Sequence, residues 1–91
     1  MKKIQNALRT FNRPVTTREL AERVNKLYPE IIISKMKNTS KKTKKSAMGQ
    51  LRAEISSESD GRYGVSKKLE EVAYRFVGDG LVMFAPKKPL R

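Results

Sequence analysis

With 91 residues, a formal charge of +12, no cysteine and no histidine, the chain fits one small domain that buries about two-thirds of its unfolded surface. The missing residue types exclude disulfides, thiolate metal sites and thiol nucleophiles, and remove the commonest metal ligand and general base. No apolar run approaches the roughly 20 residues of a membrane span, and Met1–Lys3 leads into an amphipathic segment rather than a signal-peptide core. A soluble, cytoplasmic, non-enzymatic protein without cofactor or metal is expected.

Ile4, Ala7, Leu8 and Phe11 fall at i, i+3, i+4 and i+7, which lays one apolar stripe along a first short helix. Asn12-Arg13-Pro14 ends it. Thr16 stands three residues before Glu19, flanked by Val15 and Leu20; this is the pattern of a capping box with a hydrophobic staple. A second helix is therefore expected, with Leu20, Val24, Leu27 and Tyr28 inward as far as Pro29. Ile31–Ile33 is a β-branched run that suits an edge strand or a buried turn. Thr43 caps a third helix with Ala47, Met48, Leu51 and Ile55 inward, ending near Ser56–Ser59. Tyr63 and Val65 suit a short strand, and Ser66–Glu71 an exposed connection carrying Lys67 and Lys68 or a short helical turn. Beyond it Val72, Tyr74 and Phe76 alternate with Ala73, Arg75 and Val77, and Gly78-Asp79-Gly80 separates them from Leu81–Phe84. This reads as a hairpin with Tyr74 and Phe76 turned to the core. Pro86–Arg91 reads as a frayed basic tail, leaving residues 1–85 as a single domain.

The charge is concentrated in a patch. Ile31–Ala53 carries +7 with no acid, and Lys35 to Lys45 alone holds six lysines in eleven residues. Such a field attracts phosphate-rich partners, and a helix N-terminus beside it adds oriented backbone N–H groups. On the third helix Lys45, Ser46, Gly49, Gln50, Arg52 and Ala53 fall on or near the side away from the core. Gly49 costs roughly 1 kcal/mol against alanine inside a helix, which close approach of a partner's backbone or tight helix packing would explain. Lys44 and Lys45 also sit at the positive end of the helix dipole and Glu54 and Glu58 near the negative end, each placement costing roughly 0.3–1 kcal/mol at low salt. Bound phosphate at the N-terminus would offset this. The expected contacts are Lys35, Lys37, Lys41, Lys42, Thr43, Lys44, Lys45 and Ser46 on phosphates, Gln50 and Arg52 nearest the bases beside Gly49, and Lys67 and Lys68 on an adjacent strand. Arg9, Arg13 and Arg18 are weaker candidates for phosphate contacts.

Three short helices followed by a small antiparallel sheet or hairpin make an α+β chain in the element order of a winged helix-turn-helix. The strings VTTRELAERV at Val15–Val24, KKTKKSAMGQLRAEI at Lys41–Ile55, RYGV at Arg62–Val65 and YRFVGDGLVMF at Tyr74–Phe84 resemble HARE-type and related winged helix-turn-helix domains over residues 4–84. The resemblance implies a DNA-associated protein or a module of the transcription machinery. The long basic loop before the third helix departs from that pattern, as does the lack of a second domain or acidic tail. The expectation is a small bacterial or phage protein that binds double-stranded DNA, either a transcriptional regulator or a nucleoid- or phage-DNA-associated factor. The rival is an interaction module for an acidic surface such as that of RNA polymerase. RNA is disfavoured because no aromatic is expected outside the core.

Overall fold

The computed structural model describes residues 2–38, 43–56 and 69–87. They form an α+β fold in the order α1 (Lys2–Arg9), β1 (Val15–Thr16), α2 (Thr17–Leu27), α3 (Pro29–Asn38), α4 (Lys44–Ser56), β2 (Ala73–Gly78) and β3 (Leu81–Pro86). The three strands make one antiparallel sheet in the order β1-β3-β2.

Helix α1 buries Ile4, Ala7 and Leu8 as its spacing requires, and the Thr10 hydroxyl closes it by donating to the Ala7 carbonyl at 2.6 Å. Helix α2 starts on the expected capping box: the Glu19 N–H donates to Thr16 Oγ1 at 3.1 Å, and the Thr16 N–H donates to Glu19 Oε1 at 3.0 Å. The staple residues Val15 and Leu20 are both fully buried. Arg13 donates to the second Glu19 oxygen at 2.7 Å. That bond, followed by the Thr16 N–H, holds the Glu19 carboxyl below its ordinary value of 4.5. Because the folded-state value is depressed, the stability it contributes is present above 4.5 and is lost as pH falls through the folded value. Thr16→Ala is expected to cost about 1 kcal/mol in urea unfolding at pH 7. Glu19→Gln should flatten the decline in stability below pH 4.5 only modestly, since the carboxylate is partly solvent-screened.

The first departure from expectation is α3. Pro29 holds Tyr28 out of helical geometry, which ends α2, and then occupies the first turn of α3, where its missing N–H is no loss. Ile31–Ile33 is thus helical rather than strand, with Ile32 buried and Ile31 and Met36 packed against the core; tertiary burial outweighs the weak strand preference of β-branched residues. Glu30 accepts from Lys3 at 2.9 Å, which ties α1 to α3 and, through that bond, lowers the Glu30 pKa. The helices therefore number four among the described residues, and the long basic loop is shortened by a helix. Leu27, expected inward, is 43% exposed.

The core runs from Ile4, Leu8, Leu20 and Val24 through Ala47, Met48, Leu51 and Ile55 of α4 to Leu69, Ala73 and Phe84. The inward set of α4 is the expected one. Of Ser66–Glu71 the described residues are 69–71, which agree with a helical turn: Leu69 is buried and its carbonyl accepts the Val72 N–H at 3.0 Å, while Glu70 and Glu71 are exposed. The hairpin turns on Asp79 (φ 52°) and Gly80 (φ 77°), the positive pair that a two-residue turn of type I′ demands. Strand β1, which the sequence did not announce, pairs Val15 with Phe84 and Thr16 with Met83.

The parity of the hairpin is opposite to expectation. Ala73, Arg75 and Phe84 share the inner face with Val15, while Tyr74 and Phe76 lie outside at 65% and 41% exposure. The reason is visible at Arg75, whose guanidinium donates to the Ser56 carbonyl at 3.4 Å. An inward arginine there meets one of the orphan carbonyls at the C-terminal end of α4.

Candidate nucleic-acid interface

The N-terminus of α4 is built by Thr43. Its hydroxyl accepts the Ser46 N–H at 3.1 Å and donates to the Ser46 hydroxyl at 3.0 Å, while its carbonyl accepts the Ala47 N–H at 3.0 Å. Burial of Ala47, Met48, Leu51 and Ile55 fixes the rotation of the helix, so Thr43, Lys44, Lys45 and Ser46 are exposed together at its positive end. Neither Lys44 nor Lys45 pairs with an acid among the described residues. Lys37 is exposed in the last turn of α3, which packs on α4. Lys41, Lys42, Lys67 and Lys68, with Tyr63 and Val65, lie outside the described residues.

Two expected contacts are placed elsewhere. Lys35 turns into the α3–α4 contact, where its ammonium lies 2.6 Å from Glu54 Oε2, with side-chain exposures of 17% and 9%. It joins two helices instead of facing a phosphate, and it also supplies the compensation that Glu54 lacks when α4 is considered alone. Gln50 is half-buried, and its amide oxygen is enclosed without a hydrogen-bond partner among the described residues. The bidentate pairing with adenine expected of it needs both ends of the amide, so this side-chain conformation does not offer it.

Gly49 keeps its place and loses one explanation. Among the described residues a Cβ built there would meet only Arg52 Nη2, at 3.8 Å, so none of the described helices needs the missing side chain. Arg52 is half-buried along the same strip and Ala53 is exposed one turn on. Of the weaker candidates, Arg13 and Arg18 face Glu19 and Glu22, at 2.7 and 3.6 Å, while Arg9 is exposed.

Among the described residues no three acids cluster to hold a metal, and no helix is long and apolar enough to cross a membrane. Comparison of the chain with protein-family models, with curated proteins and with solved structures finds no match.

Proposed function

We propose that this protein is a winged-helix factor that binds double-stranded DNA without catalysing a reaction, with α4 as the helix offered to the groove. The observation that supports the reading is the capped start of α4, where Lys44, Lys45 and Ser46 are exposed and, one turn on, the half-buried Gly49 has only Arg52 beside the place of its missing Cβ. Lysines at the positive end of a helix cost stability unless an anion joins them, and backbone N–H groups beside mobile cations suit phosphate. The order α1, β1, α2, then α4 and the β2–β3 hairpin, with β3 central, also suits a winged helix carrying one additional helix, α3. The resemblance of Val15–Val24 and Lys41–Ile55 to HARE-type domains supports the same assignment.

The test is a fluorescence-anisotropy titration of a short random duplex at several salt concentrations. Six to eight phosphate contacts give a slope of about −5 to −7 in log K against log salt, or about three to four orders of magnitude in affinity between 50 and 200 mM. A flat profile would sink the proposal. In that event pull-down of an acidic surface of the transcription machinery, RNA polymerase included, becomes the reading to pursue. Gly49→Ala adds a second check. It should stabilise the protein by about 0.5–1 kcal/mol, since the added methyl meets only ordinary contact, while weakening duplex binding. If binding survives unchanged, no backbone approaches the helix at Gly49.

A further inference from the structure

The sheet carries a second surface that duplex binding through α4 does not use. On its outer face Tyr74 and Phe76 stand two residues apart on β2, so their rings project from the same side about 7 Å apart along the strand. Both are held from below and beside. One edge of the Phe76 ring lies over Gly78, where an added Cβ would come within 3.4 Å of the ring and 3.3 Å of the Met83 sulfur. The Lys87 ammonium sits 5.0 Å from the centre of the Tyr74 ring and is anchored by donating to the Glu70 carbonyl at 2.7 Å. An ammonium has three donors, so two remain to it, and the sequence continues from Lys87 with Lys88 and Arg91 and no acid.

Fifteen apolar residues make the buried core of the described chain, and neither Tyr74 nor Phe76 is among them. Exposed rings of this size need a reason, because they are depleted from surfaces that only face water. Aromatic platforms beside cations match the chemistry of unpaired nucleic-acid bases: every base offers a π-face to stack, and the cations meet the phosphates that link successive bases. A duplex hides those base faces in its own stack. The inner face of the same strands is covered by the helices, and α4 meets the sheet there through Arg75 and the Ser56 carbonyl. The rings therefore stand on the face of the sheet turned away from the helices.

We propose that the outer face of the β2–β3 hairpin is a single-strand binding surface, with bases stacked on Tyr74 and Phe76 and a phosphate met by Lys87. It goes beyond the duplex reading and stands or falls separately. The probe is a fluorescent oligothymidine of about 12 nucleotides, long enough for one such surface, set beside a duplex of equal length. Tyr74→Leu with Phe76→Leu keeps an apolar face but removes the rings. It should weaken single-strand binding by about tenfold or more per ring and leave duplex binding and thermal stability unchanged. Tyr74→Trp, made in a chain that has no tryptophan of its own, should bind as the wild type does and show fluorescence quenched on adding the oligonucleotide. The proposal is overturned if the wild type fails to bind the single strand, or if the leucine variant binds it equally well. It is also overturned if sedimentation shows a wild-type dimer that the leucine variant dissolves with no change in oligonucleotide affinity, since the face would then be covered by a second copy.

Discussion

Replacing Lys35 with methionine is expected to destabilise the protein by about 3 kcal/mol, a larger loss than any surface substitution should cause. The ammonium and the Glu54 carboxylate are 2.6 Å apart, with the carboxylate side chain only 9% exposed. Removing the cation leaves a charge withdrawn from water with its partner gone. That penalty is set by desolvation and greatly exceeds the net worth of the intact pair. Lys35→Met with Glu54→Leu should accordingly recover most of the loss, as apolar replacements of similar volume do for buried pairs. Urea unfolding of the two single variants and the double variant measures this coupling directly. The folded fraction of Lys35→Met should bind duplex as the wild type does, because the side chain faces α4. If Lys35→Met unfolds no more readily than Lys37→Met, an exposed control, the pair has no structural role.

Local chemistry was what the chain announced most clearly. Thr16 and Glu19 find one another three residues apart whatever the rest of the fold does, and the same holds for Thr43 with Ser46 and for the Asp79-Gly80 turn. The inward face of α4 was equally legible, since Ala47, Met48, Leu51 and Ile55 leave a helix only one buried side. What was hidden depended on distant partners. Strand β1 exists because Val15 pairs with Phe84 across the whole domain. Strand β2 carries both of its rings on one face, so its pattern pointed that face inward, whereas the fold buries the face of Ala73 and brings Arg75 to the carbonyl end of α4. Lys35 looked like one more member of a cationic run until α3 brought it to Glu54, nineteen positions along the chain. The parity of β2 has the widest functional consequence, because it moves two aromatics from the core to the surface and removes the original objection to single-stranded partners.

Replacing Lys44 and Lys45 together with glutamine should weaken duplex binding and strengthen the fold, and the opposed signs carry the diagnosis. Each lysine that meets a phosphate contributes about 0.9 to the salt slope, so the slope should become shallower by about 2. Affinity at low salt should fall by roughly one to two orders of magnitude. Stability should rise by about 0.3–1 kcal/mol per lysine at low salt, because two cations leave the positive end of a helix dipole where no acid among the described residues relieves them. A lower net charge also relieves self-repulsion in a chain of +12, so the diagnosis needs a variant that removes the same charge elsewhere. Lys26→Gln with Arg18→Gln removes the same two charges from exposed positions on α2 and serves as the control. Lys26 lies in the last turn of α2, the favourable end for a cation, and Arg18 faces Glu22 across one helical turn. Their loss should therefore lower stability slightly and leave most of the salt slope intact. Equal loss of affinity in the two variants would show that the duplex is held only by the general field of the protein. An unchanged slope with Lys44 and Lys45 replaced would remove the start of α4 from the interface. The expected outcome, a fold that gains when its binding end is neutralised, would mark these lysines as retained for a partner at the expense of the helix that carries them.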